Sequence, residues 1–569
     1  MERKEFITSL FKPSAAKPAK ANFNNQVAMP EDIDPIGGSL SLYSGQWTEN
    51  EVIHLLKRTM YGARVEDVTY FKTMSCSSAV DELVNTVNPN PGEPIKVNST
   101  SQTVAATDPD WGVPVGRTWV NTGSTAGIVN RERRAGIKSW WLNNMINQPR
   151  SVEEKMILFW SNYVTIEFEI VGGAIMCYKY MKLLRQHATG NFKTLIKTVT
   201  IDPGMLVYLN GYENTKTAPD ENYGRELQEL FTIGKGPVNL FTEDDVKAAA
   251  RVLTGHSVNL TDGINGFINS RHDTNPKVFS SFYNNTVINR PENQGVLETD
   301  DLIEMLFTKE EVSKNICRRL YRYFVYHIIS DDVETNIIAP LAATLSSNNY
   351  EIKPVLLQLL KSEHFFNAMQ YGDIIKSPVD YTVGLIRECG IKLPPESNPQ
   401  LLYKHLNYLA VTFMGSVEQT IGDPNNVSGF IPYYQAPFFD KLWITTDTFI
   451  KRQGFIDTMI NGGGYSNGGF NTFIDPVAVA FRMSNPADPN QLVEDFNTYF
   501  LRRELSQPLR DTIKTEILLT GVTDDSYWAS AWNNYMNAPA NMENYSVVNT
   551  RLKALMLYFL SKLEEYHLM

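Results

Sequence analysis

The stretch "APDENYGRELQELFTIGKG", residues 218–236, predicts an amphipathic helix that carries several ionisable side chains. Asp220 stands where a helix N-cap is expected. Leu227, Leu230 and Phe231 recur at helical spacing, so we expect them to pack inward. The fold around this helix therefore decides whether its polar residues face solvent or a cleft.

The polar face of this predicted helix holds Asn222, Arg225, Glu226 and Glu229, at relative positions i, i+3, i+4 and i+7. One interpretation is a solvated face on which carboxylates near the helix N-terminus are electrostatically favourable. The other is a pair of carboxylates in a cleft, Glu226 and Glu229, of which one acts as a general acid or base. Arg225 would then set their protonation.

Composition limits the classes of function. The chain has 569 residues and a formal net charge of −11, and 43% of its residues are hydrophobic. This charge does not favour nucleic-acid binding, because such proteins normally present a basic face. No segment approaches the roughly 18 consecutive apolar residues of a membrane-spanning helix, so no membrane span is expected.

Periodicity predicts a mainly α fold: a large multi-helix globular protein with long irregular loops. Capping boxes are expected at residues 48–51, 151–154 and 242–245. The Pro-, Gly- and Ser-rich residues 88–128 and the mixed residues 415–475 are expected to be irregular. Alternating apolar and polar residues over 266–288 predict one small β-hairpin around "DTNP".

Two histidines follow the acidic helix closely. His256 lies just beyond a predicted helix end, and His272, Asp273 and Lys277 are expected at the hairpin tip. Together with two glutamates, this set could transfer protons or bind a divalent metal such as zinc, manganese or iron. Neither H-E-x-x-H nor the E-x-x-H of di-iron bundles occurs, so the identity of a metal stays open.

The N-terminus predicts the domain organisation and the compartment. Residues 1–40 are expected to form a flexible basic arm. Residues 41–569 are expected to form a single large helical domain, or two lobes over 41–415 and 416–569. "MERKEF" resembles a twin-arginine export signal, but Lys4 replaces the second arginine and no apolar region follows. A cytoplasmic location is therefore favoured, with export as the alternative.

Ordered sequence blocks resemble a known family. "HLLKRTMYGA", "EKMILFWSNYV", "DENYGRELQELFTIGKG", "RHDTNPKVF" and "YYQAPFFDKLW" occur in the order typical of the bacterial Domain of Unknown Function 1800 family. The last block is similar to the Bacteroidota branch. The resemblance implies no assigned activity. It implies frequent export and a companion protein that resembles a sulfatase or alkaline phosphatase. Relatives commonly read "FWHNHF" where this chain has Ser161 and Tyr163 in place of two histidines.

Two functions follow from these residues. The first is hydrolytic or transfer chemistry, with Glu226 or Glu229 as general acid or base and His272 as a second acid, base or metal ligand. In it, Arg225 and Lys277 would hold an anionic group. The residues expected to line the cleft are Asn222, Arg225, Glu226, Glu229, His256, His272, Asp273 and Lys277. The alternative is a non-catalytic binding or assembly protein in which these polar motifs form a structural network.

Overall fold

The computed structural model of the protein describes residues 39–236 and 240–569. The expected basic arm therefore lies, apart from residues 39 and 40, outside the described residues. About 57% of the described residues are helical, and the strands form small two-stranded antiparallel sheets. The prediction of a mainly α fold is confirmed.

Helices make up most of the described chain. The first α-helices span Glu49–Thr59, Val65–Lys72, Cys76–Asn85, Gly127–Asn147, Glu153–Tyr163, Phe168–Val171, Ala174–Gln186, Phe192–Thr200, Pro203–Tyr208, Glu221–Glu229 and Glu243–Val252. After the strands, they span Glu298–Leu306, Glu310–Phe324, Asp331–Val333, Ala339–Ser347, Ile352–Leu360, Pro378–Cys389, Pro399–Asn407 and Met414–Ser416. The last group spans Thr446–Ile460, Pro476–Ala480, Pro489–Phe500, Gln507–Thr512, Ser526–Asn537 and Met542–Leu557.

Tighter and wider helical turns join these elements. Turns of π-helix span Glu334–Ile338, Tyr408–Phe413, Ile513–Leu518 and Tyr558–Lys562. Short 3₁₀ helices span Pro109–Gly112, Gly211–Glu213, Asn269–Arg271, Ser281–Tyr283, Glu292–Leu297, Ala368–Gln370, Ile431–Tyr433, Phe439–Trp443 and Glu564–His567. Residues 88–126 are otherwise irregular, as expected, but the expected irregular region 415–475 contains the 15-residue helix Thr446–Ile460.

The expected small β-hairpin structure is present between helices, but it is not a single hairpin around "DTNP". Strand β1 (His256–Asn259) pairs with β2 (Ile264–Phe267), and β3 (Lys277–Val278) pairs with β4 (Val287–Ile288). The "DTNP" residues join β2 to β3, which do not pair with each other. A third hairpin, β5 (Tyr465–Asn467) with β6 (Phe470–Thr472), forms within the glycine-rich region.

Two of the three expected capping boxes form. Thr48 and Thr242 each accept a hydrogen bond from the backbone of the first helical turn, and the acidic residue three positions later binds the cap in return. The expected box at Ser151 does not form. The Ser151 hydroxyl donates to the backbone carbonyl of Thr86 instead, and Glu154 pairs with Arg185 at 2.6 Å. The Ser151 hydroxyl still accepts the backbone N–H of Glu153 at 3.1 Å, but a distant contact replaces the reciprocal bond from Glu154.

One hydrophobic core holds buried residues from Val52 to Tyr566, so it spans both of the lobes considered above. The helix Glu49–Thr59 enters this core with its charged residues as well. Lys57 Nζ lies 2.7 Å from Oε1 of Glu388, and both side chains are buried. Arg58 donates to the carbonyl of Gln370 at 3.0 Å. Every helix in the described part of the chain is too short or too polar to cross a membrane.

Candidate functional site

The acidic helix, Glu221–Glu229, begins where its sequence predicts. The carboxylate of Asp220 accepts the backbone N–H of Asn222 at 2.8 Å, as an N-cap does. The helix packs closely on the helix Glu243–Val252. A Cβ atom at Gly224 would lie 3.0 Å from the backbone nitrogen of Ala250, so this contact needs a glycine. Its apolar residues Leu227, Leu230 and Phe231 are buried, as expected.

The side chain of Arg225 forms hydrogen bonds with carboxylates at the protein surface. Its guanidinium donates to both carboxylate oxygens of Glu243, at 2.9 and 2.6 Å, and to Glu221 at 3.2 Å. Asn222 is exposed on the same helix. In this arrangement the charge of Arg225 is balanced by Glu221 and Glu243, which the cleft hypothesis did not include.

Glu226 and Glu229 are both half-buried. Glu229 forms an ion pair with Lys235. Burial raises the pKa of Glu226 above its ordinary value, while the nearby charges of Lys235 and Arg225 act against this rise. Burial, with the charges of Glu167 and Glu226, raises the pKa of Tyr208 to about 12. The charge of Glu226 is therefore less fully compensated than that of Glu229, and Tyr208 is one of the neighbours of Glu226.

The residues His272 and Lys277 meet a carboxylate that the sequence did not single out, Glu298. All three side chains are almost completely buried. Lys277 Nζ lies 2.5 Å from Oε2 of Glu298 and also donates to the backbone carbonyl of Asp273. His272 Nε2 lies 3.2 Å from the same Oε2 atom, and the backbone N–H of Arg290 donates to Oε1 at 2.9 Å. Both oxygens of Glu298 are therefore occupied.

These hydrogen bonds decide the protonation of Glu298. Burial by itself raises the pKa of this carboxyl group, because a charge is less stable away from water. The hydrogen bonds from His272 and Lys277 outweigh burial, so the pKa lies below its ordinary value. Glu298 is thus an anion held between two nitrogen donors in the core. We call His272, Lys277 and Glu298 the buried triad.

Thr254 fixes the other side of the triad. The Nδ1 atom of His272 lies 2.8 Å from the backbone carbonyl of Thr254 and 3.2 Å from its hydroxyl. The Thr254 hydroxyl accepts the backbone N–H of Asp273 at 2.8 Å. Both ring nitrogens of His272 therefore have oxygen partners within hydrogen-bonding distance. Gly295 packs directly on this ring: a Cβ atom there would lie 2.4 Å from its Cδ2.

Asp273 and His256 lie at the edge of the triad, and both are buried. Asp273 accepts a hydrogen bond from Nε of Arg251 at 2.6 Å. Burial alone would raise its pKa, but the bonds from Arg251 and Asn275 lower it to about 2. His256 Nε2 lies 2.9 Å from the hydroxyl of Thr299. Burial, helped by the charge of His272, lowers the pKa of His256 to about 4.

The structure thus brings four of the predicted residues into one buried network: His256, His272, Asp273 and Lys277. Among the described residues, no hydrogen bond or ion pair joins this network to Asn222, Arg225, Glu226 or Glu229. Residues 39–236 and 240–569 also contain no cluster of three or more His, Cys, Asp or Glu arranged to hold a metal ion.

The positions at which the resemblance expects histidines lie in a different part of the fold. Ser161 is half-buried, and its hydroxyl donates to the carbonyl of Leu158 at 2.8 Å. Tyr163 is buried, and its hydroxyl donates to the carbonyl of Phe231 at 3.1 Å. Its side chain lines a cavity together with Arg319. One of the two positions, Tyr163, therefore lies at this cavity, which reasoning from the sequence missed.

Comparisons with known proteins give one result. No curated protein and no solved structure shows significant similarity to the chain. A family described as "Protein of unknown function (DUF1800)" matches residues 54–548, which is most of the sequence. The ordered blocks in the sequence pointed to the same family. The chain therefore belongs to the Domain of Unknown Function 1800 family.

Proposed function

We propose that this protein acts by binding, and that the polar network around the buried triad is part of its architecture. The observation that carries this proposal is the saturation of Glu298. Its two buried oxygens accept from Lys277, His272 and the backbone of Arg290, so both have their hydrogen-bond partners within the fold. Buried polar groups with complete sets of partners are typical of networks that specify one packed structure.

The acidic helix supports the same proposal. A general acid or base must reach the proton that it transfers, directly or through one water molecule. Glu229 is engaged by Lys235, and Arg225 by Glu243. These pairs are typical of a charged helix face at the protein surface. They differ from the paired carboxylates that the cleft hypothesis requires.

Hydrolysis or transfer at Glu226, Glu229 and His272 stays a prediction, as does the use of a divalent metal. The companion that resembles a sulfatase or alkaline phosphatase is a candidate binding partner under our proposal. A cytoplasmic location and membership of the Bacteroidota branch are part of the proposal as well.

The experiment compares the stability of two histidine variants. If the network is architectural, His272→Ala will lower the midpoint of urea unfolding, because it leaves Glu298 and Thr254 short of a partner. His187→Ala is the matched control, since no side-chain hydrogen bond of the half-buried His187 is present among the described residues.

The opposite outcome would favour catalysis. Residues of an active site are often held at a cost to stability, so their removal can stabilise a protein. A His272→Ala variant that unfolds at the same or a higher urea concentration than the native protein would contradict the architectural interpretation. The Glu226→Gln variant, measured in parallel, should unfold close to the native midpoint.

A further inference from the structure

The cavity beside Tyr163 lies between the helices Glu153–Tyr163 and Glu310–Phe324 and the segments 374–380 and 432–443. The centre of a water-sized molecule can occupy about 50 Å³ of it. One water needs roughly 10–15 Å³, whereas pockets for drug-sized ligands are on the order of 300–1,000 Å³. The cavity therefore suits a group of a few heavy atoms. Arg319 at its edge is partly exposed, which gives access from solvent.

Two arginines on one helix face the cavity without a carboxylate partner. Arg319 and Arg322 are three residues apart, so they project from the same side of the helix Glu310–Phe324. Arg319 has no hydrogen bond or ion pair with any residue in the described parts of the chain. Among the described residues, Arg322 donates only to the backbone carbonyl of His327, at 3.2 Å. The preceding Arg318, in contrast, forms two bonds to Glu334, at 2.9 and 2.6 Å.

Burial is the main influence on the pKa of both arginines, and neighbouring positive charge adds to it at Arg322. Burial, helped by the charges of Arg319 and Arg318, lowers the pKa of Arg322 to about 10. Burial also lowers the pKa of Arg319. Like charges that are partly removed from water repel each other more strongly than at the surface. A bound anion would relieve this repulsion.

A histidine of the cavity wall, His327, has a ring nitrogen without a hydrogen-bond partner among the described residues. His327 is 5% exposed, and its Nδ1 atom lies 3.1 Å from Oδ1 of Asp440. The two atoms are not aligned for a hydrogen bond, and neither has another such partner among the described residues. Oδ2 of Asp440 accepts the backbone N–H of Ile375 at 2.8 Å. His327 thus offers a buried polar atom that the protein itself leaves unsatisfied.

The cavity also holds two carboxylates, Asp380 and Asp440, and neither forms an ion pair with Arg319 or Arg322 among the described residues. Lys155, which is 2% exposed, forms an ion pair with Asp380, and the Ser377 hydroxyl donates to the same carboxylate at 2.7 Å. The other walls are largely aromatic. The guanidinium of Arg322, for example, lies 5.4 Å from the ring of Phe439. The cavity therefore combines unpaired guanidinium groups with a wall that keeps water away from them.

We propose that this cavity binds one tetrahedral oxyanion, a phosphate or sulfate group, through the guanidinium groups of Arg319 and Arg322. The planar fork of arginine donates two parallel N–H bonds to such oxygens, which lysine does not. His327 lines the same cavity and offers its Nδ1 atom as a further donor. The anion is either a free inorganic ion or the end group of an ester that enters from the open side. This inference rests on the proposed binding role, and it adds the chemical class of the ligand.

The test is titration calorimetry at constant ionic strength with inorganic phosphate, inorganic sulfate and phenyl phosphate. We expect one ion to bind per chain. Arg319→Ala should weaken binding roughly ten- to hundred-fold, as expected for the loss of a charge-assisted hydrogen bond. Arg318→Ala is the matched control. It should change the affinity less than about two-fold, because the guanidinium of Arg318 is hydrogen-bonded to Glu334. Tighter binding of phenyl phosphate than of the free ions would identify an ester end group as the source.

Two results would overturn the inference: no binding of any of the three anions to the native protein, or equal weakening by Arg318→Ala and Arg319→Ala. If Arg319→Ala does not fold, Arg319→Lys replaces it. That variant keeps the charge but loses the fork, so unchanged affinity would also count against the site. These outcomes are separate from the stability of His272→Ala, which tests the proposed function through a different part of the fold.

Discussion

Removing Lys277 should destabilise the protein strongly. Lys277 and Glu298 are both 0% exposed, and their charged atoms are 2.5 Å apart. Deleting one partner of such a buried pair typically costs about 3–5 kcal/mol, because the other charge is left without compensation. In Lys277→Met, Glu298 keeps His272 and one backbone N–H. We therefore expect a loss near the lower end, about 3 kcal/mol, in the free energy of unfolding.

Urea unfolding at pH 7, followed by tryptophan fluorescence, measures this loss. The double variant Lys277→Met/Glu298→Leu should lose less than Lys277→Met alone, because it leaves no buried charge. Arg225→Ala is the control, since its ion pairs are at the surface, and its unfolding midpoint should match the native one. A loss below about 1 kcal/mol in Lys277→Met would refute the idea that the triad supports the fold.

Further predictions concern the residues around the triad. Because the pKa of His256 is about 4 in the folded protein and about 6.5 when unfolded, stability should fall by about 3 kcal/mol between pH 6.5 and 4. His256→Gln should flatten that part of a plot of unfolding free energy against pH, and an unchanged slope would contradict this. Gly295→Ala should cost about 1–3 kcal/mol in urea unfolding, because the new methyl group overlaps the His272 ring. Gly454→Ala, where a Cβ atom meets nothing within 4 Å, should not destabilise the protein.

Local features of the fold could be read from the sequence. The caps at Thr48, Thr242 and Asp220 depend on residues within one helical turn, and all three form. Ser151 has the same local pattern, but its hydroxyl binds Thr86, 65 residues earlier. Propensity alone does not distinguish these cases, because the competing partner is distant in sequence.

The hairpin around "DTNP" shows a second limit. Its alternation of apolar and polar residues is typical of a strand pair. In the structure, however, the residues of this segment belong to two different features. His272 is buried in the network, and Val278 is 60% exposed opposite Val287 in the short β3–β4 pair. Strand pairing depends on register with a partner, which a single segment does not specify.

The candidate site was harder to predict from the sequence than the local features of the fold. Grouping His256, His272, Asp273 and Lys277 was possible because they lie within 22 residues of one another. Glu298, which completes their network, looks like an ordinary first-turn acid of the helix Glu298–Leu306. Only tertiary contacts reveal that it is buried.

The cavity was also hard to predict, because its residues lie still further apart in the sequence. Its charged residues Lys155, Arg319, Asp380 and Asp440 come from four separate regions of the chain. The spacing of Arg319 and Arg322 is local, but it is also common on solvated helix faces. What sets them apart is the lack of a carboxylate partner, and this is a property of the folded protein.

The burial of Lys57 against Glu388 has a consequence for synthesis on the ribosome. The partner of Lys57 is made about 330 residues later, which takes roughly 15–65 s at typical rates of translation. During that time the helix Glu49–Thr59 has no finished core to enter, and its apolar side stays open to other proteins. The nascent chain is therefore expected to depend on chaperones at least until the helix Pro378–Cys389 has been made, and the core itself is complete only when residues up to Tyr566 follow.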